Sequence, residues 1–177
     1  MKAFTYLAMA IVLLLSSCQT DKKPEKLYEE GVSLELAQLR KKEIKELKYD
    51  LHFSIPKRKQ EAVEGEVNIR FTIQRPQEII LDFRENADKI KDVSVNGQST
   101  AYIFQNEHIR IPEEATVQGM NEVYIHFTAG DQSLNRNEEF LYTLLVPDRA
   151  RTVFPCFEQP NLKAEFTLQL EVPAEWE

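Results

Sequence analysis

Apolar and polar residues alternate along most of this chain. From Leu47 the period is two: Leu47, Tyr49, Leu51, Phe53 and Ile55 alternate with Lys48, Asp50, His52 and Ser54, and Pro56 ends the run. That spacing places one apolar row on one side of an extended chain and predicts a half-buried strand. The pattern recurs at Val67, Ile69, Phe71 and Ile73, at Ile79, Leu81 and Phe83, and at Val93 and Val95. The last of these runs into Asn96-Gly97, a pair that accepts positive φ at both central positions of a tight turn, so a hairpin is expected there. Further strands are predicted over 101–104, 108–111 and 123–128, and over 164–172, where Phe166, Leu168, Leu170 and Val172 share a face. About eight short strands separated by turns predict an all-β chain, an antiparallel two-sheet sandwich. No segment repeats another, which argues against a propeller or solenoid.

Two stretches depart from this period. Ser33 is placed to cap a short helix carrying Leu34, Leu36, Ala37 and Leu39, with Arg40, Lys41 and Lys42 where cations suit the C-terminal end. The helix is expected to pack against the first strand. The polar residues of 131–139 predict an exposed loop, and those of 19–30 a tether with nothing to bury.

The first residues change the picture of where this chain resides. An apolar run over 4–15 follows the single Lys2 and ends in Leu15-Ser16-Ser17-Cys18, the order of a bacterial lipoprotein signal. The run is shorter than the ~20 residues that cross a bilayer core. Cleavage would leave Cys18 as the lipidated first residue, giving a signal peptide over 1–17, a tether over 18–32 and a β-domain over 33–177. The expected location is the cell envelope, lipid-anchored at the outer membrane and facing the periplasm or the cell surface; Gln19 agrees with onward transport. Without residues 1–17, 21 basic face 29 acidic side chains, a net charge of −8, which disfavours nucleic acid as a partner. With Cys18 acylated, Cys156 is the one thiol left, so no intrachain disulfide is available.

Candidate chemistry is sparse. His52, His108 and His126 each fall in the polar phase of a predicted strand and read as surface histidines rather than zinc ligands. Cys156, between Pro155 and Phe157, reads as a small buried side chain without a base to activate it. Asp148, Arg149, Arg151 and Glu158 read as ion pairs that hold a loop.

The densest pattern is Pro147-Asp148-Arg149-Ala150-Arg151-Thr152-Val153-Phe154-Pro155-Cys156-Phe157-Glu158-Gln159-Pro160-Asn161-Leu162-Lys163-Ala164-Glu165-Phe166. It resembles the end of the N-terminal domain of aminopeptidase N-type zinc metallopeptidases, the gluzincins of peptidase family M one. Phe154, Pro155, Cys156, Phe157, Glu158, Pro160 and Lys163 carry the likeness, while Arg149 and Glu158 stand where the family more often has aspartate. Tyr49-Asp50-Leu51-His52-Phe53 fits the family's opening strand. The resemblance spans residues 33–177 and implies a saddle-shaped β-domain that lies over a thermolysin-like catalytic domain and helps to close its substrate channel.

It also implies zinc and peptide chemistry that this sequence does not carry. Neither Gly-x-Met-Glu-Asn nor His-Glu-x-x-His occurs. The family's amine-binding glutamine or glutamate positions fall on Leu144 and Val146, which offer no side-chain acceptor. No catalytic, substrate-binding or metal residue is therefore assigned and no cofactor is expected in this chain, zinc belonging to the full-length enzymes. The implied partners are a catalytic domain in cis or in trans, peptides for the complete enzyme, and a membrane through the lipid. The family's β-domain continues past the last predicted strand, so the chain is expected to be incomplete at its C-terminal edge. The alternative is a free-standing surface lipoprotein whose sandwich binds a protein or a glycan, since folds are reused without their chemistry.

Overall fold

A computed structural model describes residues 25–137 and 140–176. Cys18 and the signal segment lie outside the described residues.

The alternating runs form the strands they predict. β1 (Lys45–Ser54), β2 (Glu64–Ile73), β3 (Ile79–Asp82), β4 (Ile90–Val95) and β5 (Gln98–Ser99) are followed by β6 (Ile103–Gln105), β7 (His108–Ile111) and β8 (Gly119–Thr128). β9 (Leu134–Arg136), β10 (Leu141–Thr143) and β11 (Glu165–Glu171) complete the chain. A six-stranded sheet in the order β11-β1-β2-β8-β4-β5 and a three-stranded sheet in the order β3-β7-β6 enclose one core. β4 and β5 are joined at Asn96 (φ 51°) and Gly97 (φ 78°), the positive pair that a two-residue hairpin of this hand requires.

The core holds the apolar phase of each strand. Phe71, Phe83 and Phe127 are fully buried, and Phe127 meets Phe53 and Phe83 edge-on, with ring centroids 6.0 and 5.8 Å apart. Each such side chain contributes about 1.5–3 kcal/mol on leaving water, which makes packing the main source of stability here. Gly65 on β2 makes room for Phe127: a Cβ there would lie 2.5 Å from the ring.

Four expectations change. Helix α1 (Leu34–Glu43) forms where predicted, with Ser33 Oγ accepting from the Leu36 amide at 3.1 Å, but it docks on β3: Leu36 buries against Leu27 and Ile80. The segment read as tether is folded from Glu25 to Tyr28 as a 3-10 turn, because Leu27 is apolar enough to bury. The stretch 131–139 is not simply an exposed loop; Leu134 is buried and β9 pairs with β10. Finally, β11 joins β1 in parallel, an exception in an otherwise antiparallel sheet.

Candidate functional site

The segment 154–158 is built into the core from both sides. Phe154 packs edge-on against Phe53 at 6.3 Å and Phe157 against Phe71 at 5.7 Å, so the two phenylalanines reach β1 and β2 of the six-stranded sheet. Between them Cys156 makes an antiparallel bridge with Asp82 at the end of β3: the Asp82 amide donates to the Cys156 carbonyl at 2.7 Å and the Cys156 amide to the Asp82 carbonyl at 3.1 Å. The Phe157 amide donates to the Tyr49 hydroxyl at 3.0 Å. Burial pushes the Tyr49 phenol well above its usual range.

The Asp82 side chain is the centre of a buried polar cluster. Its Oδ2 accepts from Arg40 Nη1 at 2.8 Å and from the Glu158 amide at 2.9 Å. Its Oδ1 accepts from Arg40 Nη2 at 2.8 Å and from His108 Nδ1 at 2.9 Å. Asp82 and His108 are fully buried and Arg40 nearly so. Burial alone would raise the Asp82 carboxyl, yet the Arg40 charge and the His108 hydrogen bond outweigh it and hold the group below its ordinary 3.8. His108 Nε2 faces the Glu29 carbonyl at 2.8 Å. Both ring nitrogens thus meet oxygen acceptors, and only the imidazolium, with two N–H donors, fills both bonds.

A second set of charges flanks the first. Arg151 Nη1 meets Glu107 at 2.6 Å, Arg84 meets the same carboxylate at 2.9 Å, and the Arg151 amide donates to Glu158 Oε2 at 2.8 Å. Burial raises the carboxyls of both Glu107 and Glu158 in spite of the nearby arginines. Asp148 reaches Arg151 at 3.4 Å, so Asp148, Arg151 and Glu158 hold loop geometry, while Arg149 is exposed.

The candidate residues sort clearly. Phe154, Pro155, Cys156 and Phe157 are buried, Glu158 is half-buried, and Pro160 and Lys163 are exposed. Cys156 is a core thiol that burial pushes well above its usual range, with the Glu158 and Asp82 charges acting in the same direction. His52 and His126 lie on the outer face of the sheet beside Glu66 and Glu64. His108 corrects the surface reading: residues 25–31 cover the polar side of β7, and the imidazole is buried beneath them. Among the described residues no three histidine, cysteine, aspartate or glutamate side chains are arranged to hold a metal ion. The described residues therefore do not fit a zinc centre, and the cluster's hydrogen bonds tie Arg40 of α1 and Asp82 of β3 to the Glu158 amide. Asp82 and Arg40 were not singled out from the sequence; an aspartate ending an otherwise fully apolar strand was the available signal.

Residues 45–176 match the sequence profile of the Peptidase M1 N-terminal domain. The chain belongs to that family. Aminopeptidase N of Streptomyces lividans is 34% identical over 103 residues, covering 51% of this chain and 12% of that protein. Among solved structures, the M1 zinc metallopeptidase of Deinococcus radiodurans superposes with a TM-score of 0.58 at 19% identity, over 72% of this chain and 32% of that one. Yeast LTA4 hydrolase gives a TM-score of 0.61 at 18% identity, over 81% and 28%. The likeness to these two structures establishes the fold. The chain spans about an eighth of the length of the curated aminopeptidase and under a third of these structures. Within the M1 N-terminal domain, Phe154–Phe157 knits the two sheets together, so its dense sequence signature has a packing origin.

Proposed function

We propose that this chain is the N-terminal β-domain of a lipid-anchored zinc aminopeptidase, and that it acts by shaping the substrate channel and packing on a catalytic domain. The observation that carries the reading is the face of β11. Phe166, Leu168, Leu170 and Val172 are 40–59% exposed, although they continue the row that Tyr49, Leu51 and Phe53 bury on the adjoining strand. Such an apolar row is suited to further protein from the same polypeptide. Val146, 84% exposed, adds apolar surface at the other rim of a groove that reaches Phe154 and Phe166. The continuity of this surface with the main sheet favours an intramolecular neighbour over the free-standing binding module.

In this reading the described residues of this chain perform no chemical step. Zinc, held elsewhere in the complete enzyme, would supply an activated water for removal of N-terminal residues from peptides. The anchor would be the acylated Cys18, which places the enzyme on the outer membrane, facing the periplasm or the surface. The test is to capture the native polypeptide from cell envelopes with an antibody against the β-domain. A polypeptide several-fold larger than 20.6 kDa that cleaves aminoacyl-p-nitroanilides, and stops when a zinc chelator is added, is the expected result. A band near 20.6 kDa without associated peptidase activity would overturn it and favour the binding module.

A further inference from the structure

Residues 27–31 lie across the cluster like a strap, and His108, Asp82 and Arg151 link them to the 156–158 segment. Leu27 buries against Leu36 and Ile80. The Tyr28 ring stacks on Arg110 at 3.9 Å, its hydroxyl donates to Glu78 at 2.8 Å, and its carbonyl accepts from Asn106 Nδ2 at 2.7 Å. The Glu29 carbonyl faces His108 Nε2 at 2.8 Å, and Asp82 Oδ1 faces His108 Nδ1 at 2.9 Å. Asp82 in turn receives the Glu158 amide and bridges Cys156 through the backbone. Gly31, at φ +83°, runs beside the Arg151 guanidinium, and Arg151 holds Glu158 from the other side.

We propose that the strap is a latch: its seating on His108 sets how firmly the Cys156–Glu158 segment is held, so a change at the tether side of the domain is transmitted to the core of the 154–160 segment. The physical basis is that Asp82 has no spare acceptor geometry. With the Glu29 carbonyl withdrawn, a buried N–H of His108 is left unsatisfied, and the imidazole and the carboxylate it holds must move together. Segments that share one buried hydrogen-bond network are coupled by the same free energy in both directions.

The test reads Cys156 from a distance. In the full chain carrying Cys18→Ser, Cys156 is the sole thiol, and its labelling rate by an aromatic disulfide reports local opening. Leu27→Asp unseats the strap. Asn106→Asp tolerates the positive φ of that position, replaces an exposed donor to the Tyr28 carbonyl by an acceptor, and serves as the milder variant. Leu27→Asp is expected to raise Cys156 labelling at least about tenfold beyond the change in global unfolding measured by urea titration, the scale of one lost hydrogen bond to a charged donor, and Asn106→Asp, which loses one neutral exposed hydrogen bond, by about two- to threefold. Labelling that is unchanged, or that rises only in step with global unfolding, overturns the latch and leaves residues 27–31 as a passive cover.

Discussion

Asp82→Asn is the most informative single change. The substitution keeps the size of the side chain but removes the one negative charge between Arg40 and His108, both buried. It also replaces an oxygen that accepts two hydrogen bonds by an amide that donates, so that at one corner N–H faces N–H from Arg40 and Glu158, or from Arg40 and His108. Removing one partner from a buried ion pair typically costs about 3–5 kcal/mol, because the remaining charge keeps its desolvation penalty. A domain of this size has a total stability of about 5–15 kcal/mol, so from about a fifth to all of it would be lost. At roughly 2–4 °C per kcal/mol, the expected fall in melting temperature is about 6–20 °C by circular dichroism. A double variant, Arg40→Met with Asp82→Leu, should lose less than Asp82→Asn alone, since no charge is stranded except that of His108. A fall below about 2 °C for Asp82→Asn would refute the account of the cluster as the organising contact of the 154–158 segment.

Other outcomes follow from the same structure. Because the folded state holds Asp82 below 3.8, the unfolded chain binds its proton first, and stability should drop as pH falls below that value; the drop should be smaller in Asp82→Asn, where only other lowered carboxyls such as Glu35, Glu61 and Glu175 remain. Glu107 and Glu158 have the opposite sign: their raised values mean the folded state binds protons first, so mild acidification from neutrality towards 4.5 should stabilise, as urea midpoints across that range would show. Gly65→Ala should cost about 1–3 kcal/mol by forcing Phe127 aside, and a midpoint equal to wild type would show that the ring has free space. Phe166→Glu with Leu168→Lys should cost this chain only about 0.5–1.5 kcal/mol, the stack of Phe166 on Tyr49 at 4.6 Å, while lowering the peptidase activity proposed for the native polypeptide; unchanged activity would detach β11 from any domain contact. Cys18→Ser should release the protein from envelope membranes on fractionation.

Much of the fold was legible because a period of two is unambiguous over ten residues, as in β1 and β2, and because Asn96-Gly97 leaves the turn few alternatives. The misreadings share a cause. Leu27 and Leu134 are single apolar residues in polar stretches, and a lone residue has no period; each is buried through contacts distant in sequence. His108 sits in the polar phase of a four-residue strand, which says which way it points but not that residues 25–31 return to cover it. The parallel pairing of β11 is likewise invisible to a pattern that specifies faces and not neighbours. The motif around Cys156 was readable as a motif, whereas its partners, Arg40 and Asp82, are 116 and 74 positions away and carry no local signature.

The parallel pairing bears on the order of assembly. β1 lies between β2 and β11, and Lys48 meets Glu165 across about 117 residues of chain. One edge of β1 therefore waits for β11 while β2, β8 and β4 can already pair with one another. At roughly 5–20 residues per second of synthesis, that wait is of the order of ten seconds. Throughout it, the outer backbone edge of the first strand is open to any extended segment that arrives, so mispairing threatens until β11 docks, and a holding chaperone would act on the nascent domain before residue 165 emerges.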